Sequence, residues 1–153
     1  MSSMPSSPPF QMVLRVEADD IDMMGHVNNT VYLRWVQDVA TAHWRAVAAE
    51  DAQRETVWVV RRHEIDYKTA ALPGDEVLVQ TWVGTAMGLT FERHTRMLRA
   101  ADQQVLAQAR TLWCPISTRT GRPQRISAQL RSQFSAERPE SDPTNEERHD
   151  NRL

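Results

Sequence analysis

Apolar residues recur with two different periods along the chain, and the change of period separates a helical segment from a series of strands. Between residues 30 and 50, apolar and small side chains recur every three or four residues, at Val31, Trp35, Val39, Ala42 and Ala46. This spacing predicts one face of a long α-helix. Residues 10–16, which precede the helix, mix apolar side chains closely enough to predict a first strand.

After Arg54 the apolar residues alternate, which predicts four further strands joined by short turns. The first, over residues 57–68, is long enough to indicate a bulge. The next three are predicted over residues 77–83, 89–99 and 104–116, with turns at 73–75, 84–88 and 101–103, and a short amphipathic helix over residues 126–134. Short connections favour antiparallel pairing, so the fold class is α+β, with one long helix on an antiparallel sheet.

The size and charge of the chain limit the possible functions. Its 153 residues predict one domain, and 18 basic against 20 acidic residues give a net charge of −2. A dedicated nucleic-acid-binding protein would carry a basic excess. Residues 1–9, rich in serine and proline, and the polar tail 136–153 are predicted to be disordered. No stretch predicts a membrane span or a secretory signal, so we expect a cytoplasmic protein.

The segment that leads into the long helix contains the candidate chemistry. Asp22 ends an extended run, Gly25 permits a tight turn, and Asn28 or Asn29 is a candidate N-cap. This order brings an acid close to a helix N-terminus, whose free N–H groups can hold a developing negative charge. An acid that faces an anion site is the minimum needed for attack on a carbonyl. Taken alone, however, Asp20 and Asp22 are more typical of turn or capping acids.

The element order and this segment together resemble the hotdog-fold acyl-CoA thioesterases, in the branch similar to 4-hydroxybenzoyl-CoA thioesterase. The resemblance covers residues 11–135 of a predicted domain at residues 10–135, and it implies a long central helix wrapped by a five-stranded antiparallel sheet. It also implies a homodimer or homotetramer with active sites at the dimer interface. The residues that carry it are Asp20-Ile-Asp22-Met-Met-Gly25-His26-Val27-Asn28-Asn29, Tyr32-Leu33, Ile65-Asp66-Tyr67, Pro73-Gly74-Asp75 and Trp82-Val83.

The resemblance implies a role for each residue of the motif. Asp22 matches the catalytic carboxylate, which acts either as nucleophile or as general base, and both routes stay open. The backbone N–H near Asn29 is the implied oxyanion donor, although some relatives have tyrosine or histidine there and this chain does not. The resemblance also makes His26 a catalytic candidate, but it does not define what His26 does. The remaining motif residues, Gly25, Val27, Asn28 and Tyr32, are expected to bind substrate.

Coenzyme A is expected as part of the substrate, so no separate cofactor is expected. Its phosphates would bind arginine or lysine side chains. The candidates are Arg61, Arg62, Lys68, Arg119, Arg122 and Arg125. No metal site is expected, because the histidines show no ligand spacing.

Three alternatives remain beside the hydrolysis of a fatty or aromatic acyl-CoA. The acyl group could be carried by acyl-carrier protein, or the protein could bind acyl-CoA without hydrolysing it. A hotdog dehydratase or hydratase fits least, because Asp22 and His26, only four residues apart, do not reproduce the usual acid–histidine arrangement. The sequence does not fix acyl length, or a preference for aromatic over aliphatic groups.

Overall fold

Five antiparallel strands form one sheet, and the long helix packs against it. The computed structural model describes residues 9–136, so the segments predicted to be disordered lie outside the described residues apart from their inner ends. A short 3-10 helix at Ala18–Asp20 follows the first strand. The other elements are β1 (Phe10–Arg15), α1 (Asn29–Val47), α2 (Glu50–Glu55), β2 (Thr56–Tyr67), β3 (Glu76–Met87), β4 (Thr90–Arg99), β5 (Val105–Ser117) and α3 (Ala128–Ala136).

The strand order is β1-β3-β4-β5-β2, and every neighbouring pair is antiparallel. This confirms the predicted α+β class and places β1 and β2 at the two edges of the sheet. The predicted bulge in β2 is also present, because its register against β5 shifts between Val60 and Arg62. Arg61 is therefore an extra residue in the strand.

The core lies between α1 and one face of the sheet. The helix buries a broad face of eight residues, Val31, Tyr32, Trp35, Val36, Val39, Ala40, His43 and Trp44. The predicted buried face of α1 was wrong at the C-terminal end of the helix. Ala46 is exposed, and His43 and Trp44 are buried there instead. α1 ends at Val47, since Ala48 has an extended backbone. The short helix α2, which precedes the predicted strand after Arg54, was not predicted. None of its residues is buried, so it shows no apolar pattern.

The predicted turn over residues 84–88 was wrong in extent. β3 continues to Met87, and only Gly88 and Leu89 form the turn before β4. Gly84 lies within β3, where a Cβ would collide with the Glu92 carboxylate on the neighbouring strand. Gly84 therefore leaves room for the Glu92 side chain and does not form a turn.

Candidate active site

A small hairpin joins the candidate acid to the start of α1. Its two sides are held by an isolated bridge between Ile21 and Val27 and by two further backbone bonds. The Asp22 N–H donates to the His26 carbonyl at 2.8 Å, and the Asn28 N–H donates to the Asp20 carbonyl at 2.8 Å. At the tip, the Gly25 N–H closes a turn onto the Asp22 carbonyl, and Gly25 has a φ of +80°. The acid and the helix start are therefore neighbours through backbone geometry.

The two aspartates of the motif have different environments. Asp20 is 5% exposed, and its carboxylate accepts bonds from Arg34 and from the Glu17 N–H, both at 2.9 Å. It is therefore a structural acid that fixes the base of the hairpin. Asp22 is exposed in the single chain, and its Oδ1 accepts bonds from the N–H groups of Met24 (2.9 Å) and His26 (3.2 Å). These two bonds orient the carboxylate, while Oδ2 has no partner among residues 9–136.

The first turn of α1 presents one free backbone donor. Asn28 is the N-cap, and its side-chain oxygen accepts from the Thr30 N–H at 3.1 Å and from the Thr30 hydroxyl at 3.0 Å. The Val31 N–H donates to the Asn28 carbonyl at 2.9 Å. For the Asn29 N–H, the described part of the chain provides no acceptor. This N–H is the first of the helix, where the helix dipole also favours negative charge.

The remaining motif residues hold the helix start in place. Val27 is 3% exposed, and its N–H donates to the Ala71 carbonyl at 3.1 Å. Tyr32 is 2% exposed, and its hydroxyl accepts from the Ala71 N–H at 2.9 Å. Burial raises the pKa of Tyr32. Tyr67, at the end of β2, packs edge-on against Tyr32 and donates to the Asn29 carbonyl at 3.3 Å. The substrate contacts expected of Val27 and Tyr32 stay predictions, as does the role of the exposed His26 side chain.

The candidate phosphate-binding residues do not lie together in one chain. Lys68 directly follows Tyr67, near the start of α1, whereas Arg61 and Arg62 lie at the bulge, where Arg62 pairs with Glu64 at 3.5 Å. The segment that contains Arg119, Arg122 and Arg125 follows β5 and is bonded to the opposite end of β2, through Thr118 and Glu55. The 12 residues of β2 cover about 40 Å. Within one chain, these three arginines therefore do not share a site with Asp22.

A cavity of about 650 Å³ lies beside the C-terminal half of α1. Its walls include four aromatic side chains, Trp44, Trp58, Phe91 and Trp113. Trp58 packs edge-on against both Trp44 (5.3 Å between ring centroids) and Phe91 (5.5 Å). A volume of this size is within the usual range of small-molecule sites. The cavity lies at the Thr56 end of β2, whereas the hairpin lies at the Tyr67 end.

Membrane-spanning helices and metal clusters are both absent from the described part of the chain. Among residues 9–136, no helix is long and apolar enough to span a bilayer. Over the same residues, no group of three or more histidine, cysteine or acidic side chains is placed to bind a metal ion.

Comparison with known families gives a match over most of the chain. The model of the thioesterase-like superfamily matches residues 16–134, which include the hairpin, α1 and all strands after β1. The chain belongs to the thioesterase-like superfamily. As a member of this family it is a thioester hydrolase, which confirms the enzyme class expected from the sequence. No curated protein sequence matches this thioesterase-like chain.

Solved structures confirm the hotdog fold of this thioesterase-like protein. A thioesterase from Thermus thermophilus, complexed with coenzyme A and zinc, is 23% identical with a TM-score of 0.75, covering 88% of this chain and 98% of that one. A hypothetical protein from Staphylococcus aureus in complex with CoA is 14% identical with a TM-score of 0.79, covering 93% and 92%. A 1,4-dihydroxy-2-naphthoyl-CoA thioesterase from Synechocystis is 18% identical with a TM-score of 0.71, covering 82% and 94%.

The sequence analysis did not predict several residues of the site region. Tyr67 was noted only as part of a motif, although it contacts the helix start directly. The sequence assigns the tryptophans to the core or an interface, with one or two lining an acyl tunnel. It does not place the cavity, because its walls come from α1, α2 and strands β2 to β5 and show no local spacing. Arg93 lines this cavity. Its only sequence signal is its alternation with Phe91 and Thr95, which marks an inward position on β4.

The conformation of Gly25 provides a first test of the hairpin. Gly25→Ala is expected to lower the free energy of unfolding by about 1–2 kcal/mol, because a Cβ is unfavourable in the left-handed region. No atom lies within 4 Å of the added Cβ, so no clash with neighbours contributes. The thioesterase kcat should also fall, because the turn orients Asp22. Urea unfolding and steady-state hydrolysis measure the two effects.

Gly88→Ala is the matched control. Gly88 also has a positive φ (+60°) with nothing within 4 Å of an added Cβ, but it lies in the β3–β4 turn. This variant should lose similar stability and keep its kcat. Equal kcat values for both variants would contradict an orienting role for the turn at Gly25.

Proposed function

We propose that the protein hydrolyses acyl-CoA thioesters, with Asp22 as the catalytic carboxylate and the start of α1 as the oxyanion site. The observation that carries the proposal is the hairpin, which joins an oriented carboxylate to the Asn29 N–H that has no acceptor in the described chain. The two CoA-bound structures with the same fold support coenzyme A as the carrier. No separate cofactor is required, and the cytoplasm stays the expected compartment.

The arrangement is compatible with two routes. In both, the thioester oxygen accepts a bond from the Asn29 N–H, which stabilises the charge that develops there. In the first route, Oδ2 of Asp22 attacks the acyl carbon and expels the CoA thiolate, which takes a proton from solvent. Water then opens the mixed anhydride. In the second route, Asp22 accepts a proton from water as that water attacks the acyl carbon, and the same products form.

The exposed position of Asp22 is explained if the active unit is a dimer formed through β2. β2 is a 12-residue edge strand without proline or glycine, and its outer face exposes Val57 (51%) and Val59 (43%). A long edge strand that exposes apolar residues can pair with another strand. We propose that two copies pair antiparallel along β2 about a two-fold axis, so that both copies of α1 lie on the same side of one extended sheet.

This pairing would complete the site from two chains. Antiparallel strands bring the Tyr67 end of one β2 beside the Thr56 end of the other. The hairpin of one protomer then faces the aromatic cavity of its partner, and the Arg119–Arg122 loop of the partner approaches the same cleft. Arg119 and Arg122 could then contact coenzyme A, although they are distant from Asp22 within one chain. A homotetramer would need a further interface.

Substitution of Asp22 tests the catalytic role. Asp22→Asn should lower kcat for acyl-CoA hydrolysis by about 10²- to 10⁴-fold, because the amide neither attacks nor accepts a proton. The KM should change little, since the side chain keeps its size. Release of free CoA thiol measures turnover across short, long and aromatic acyl groups. The matched control is Asp19→Asn, an exposed acid in the preceding 3-10 helix, which should retain full activity.

Activity of this variant and of the native protein separates the alternatives. Full activity in Asp22→Asn would remove the proposed mechanism. Tight acyl-CoA binding without turnover in the native protein would favour a non-catalytic binding protein. Turnover of acyl groups on acyl-carrier protein but not on CoA would favour that carrier instead.

A proline at the first helical position tests the oxyanion donor. Asn29→Pro removes the N–H, and proline is well tolerated at this position of a helix. The extended backbone of Asn28 (φ −61°, ψ 138°) also suits a residue that precedes proline. We expect kcat to fall by about 10²- to 10³-fold, as for the loss of one oxyanion donor. Asn29→Ala keeps the N–H and should change kcat far less. An equal loss in both variants would assign the effect to the side chain.

A charge on the β2 edge tests the dimer. Val59→Lys replaces an exposed apolar residue of the paired strand with a charge and should convert the protein to monomers, because lysine on an edge strand opposes edge-to-edge pairing. Hydrolysis should be lost with the dimer. Val13→Lys is the matched control, since Val13 is 59% exposed on the opposite edge strand β1. Sedimentation and hydrolysis are measured together, and a fully active monomer would contradict a shared site.

A further inference from the structure

Two methionines at the tip of the hairpin are the most exposed large apolar side chains among residues 9–136. Met23 is 103% exposed and Met24 is 77% exposed, so the described chain leaves both largely in solvent. Both directly follow Asp22, the proposed catalytic acid. A single exposed apolar residue is ordinary, whereas an exposed apolar patch indicates contact with a partner.

The backbone of the hairpin holds these methionines in place. The Gly25 N–H closes the turn onto the Asp22 carbonyl at 3.1 Å, and the Met24 N–H donates to Oδ1 of Asp22 at 2.9 Å. The Asp22 N–H donates to the His26 carbonyl across the hairpin at 2.8 Å. A bonded turn therefore presents the two thioether side chains to the outside, directly beside the carboxylate.

The aromatic cavity borders the edge of the sheet. Part of its lining comes from Gln37, Thr41 and Arg45, which lie on one exposed stripe of α1. Another part comes from Val57 and Trp58 of the edge strand β2. β2 pairs with β5 on one side, and the described part of the chain provides no strand on its other side. A second copy that pairs along β2 therefore lies beside the mouth of the cavity, which we define by the stripe on α1.

Two contacts determine which part of α1 lies at each end of β2. Tyr67 donates to the Asn29 carbonyl at the start of α1, and Trp58 packs against Trp44 near the end of α1. Antiparallel pairing about a two-fold axis brings opposite ends of the two β2 strands together. The start of one α1, with the hairpin that precedes it, then lies beside the partner's Trp44, which lines the partner's cavity.

We infer that Met23 and Met24 of one protomer pack into the mouth of the aromatic cavity of the other and form the outer wall of its acyl pocket. This inference rests on the proposed function and on the β2 dimer that belongs to it. Methionine is flexible enough to fill an irregular opening, and its sulfur makes favourable contacts with aromatic rings. Because Asp22 belongs to the same hairpin, the wall and the catalytic carboxylate reach the acyl-CoA together.

Thiol cross-linking tests this placement without any substrate. The double variant Met24→Cys with Arg45→Cys is treated with a short bismaleimide and should give a covalent dimer on a denaturing gel. The native thiol of Cys114 is buried and should not react. The matched control is Met87→Cys with Arg45→Cys, because Met87 is also exposed (68%) but lies at the end of β3. A native protein that sediments as a monomer, or equal yields of covalent dimer from both variants, would overturn the inference.

Removal of the two side chains tests the packing. Met23→Ser with Met24→Ser keeps every backbone N–H of the hairpin. The dimer dissociation constant, measured by sedimentation, should rise by at least about 10-fold, because burial of one methionine already corresponds to this factor. Met87→Ser is the control and should leave the dissociation constant unchanged.

The same methionine variant tests the acyl wall, at protein concentrations that keep it dimeric. Its kcat/KM should shift towards the larger acyl group by at least about 10-fold, the discrimination that one methylene group gives in an apolar pocket. The pair compared is dodecanoyl-CoA with hexanoyl-CoA or, for an enzyme specific for aromatic groups, naphthoyl-CoA with benzoyl-CoA. An unchanged preference would contradict the role of the methionines as a wall.

The outcomes also separate this inference from the proposed function. Hydrolysis that depends on Asp22, in a dimer that does not cross-link through position 24, would overturn the inference and leave the proposed function intact. A cross-linked dimer of a protein that hydrolyses no acyl-CoA would support the contact between the methionines and the partner and overturn the proposed function.

Discussion

The backbone pairing of residues 20–22 with residues 26–28 is the constraint on which the site depends. It ties the segment that carries Asp22 to the segment that leads into α1 through backbone bonds. The buried Asp20 supports this pairing through Arg34 and Glu17, and the Val27 N–H ties it to the Ala71 carbonyl. Because backbone bonds set the geometry, the carboxylate of Asp22 can stay exposed to solvent while two backbone N–H groups orient it.

Much of the fold could be predicted from periodicity, and the errors have physical causes. The long helix, the antiparallel strands and the bulge in β2 follow from local patterns of apolar residues. The end of α1 could not be placed, because alanines near residues 46–49 fit a helix pattern whether buried or exposed. Gly84 was assigned to a turn since glycine is usual there, but it lies within β3 and leaves room for the Glu92 carboxylate on the next strand. That contact exists only after β3 and β4 pair.

The candidate site was predictable only where it is local in sequence. Residues 20–29 form a single turn and helix start, so their order in the chain already contains their arrangement. The cavity is different, because Trp44, Trp58, Phe91 and Arg93 come from three elements that meet only in the folded chain. Arginine is also usually solvated, and nothing local indicates that Arg93 is buried against His43. Which arginines could approach a substrate would depend in addition on the proposed dimer.

The bulge in β2 lets this strand face α1 at both of its ends. Trp58 contacts Trp44 of α1, and Tyr67 contacts the carbonyl of Asn29 at the other end of the same helix. These two strand residues are nine positions apart, an odd number, so a regular strand would direct them to opposite faces. The extra residue at Arg61 restores the match and lets both face α1. One irregular position therefore allows a single edge strand to form a wall of the cavity at one end and to support the helix start at the other.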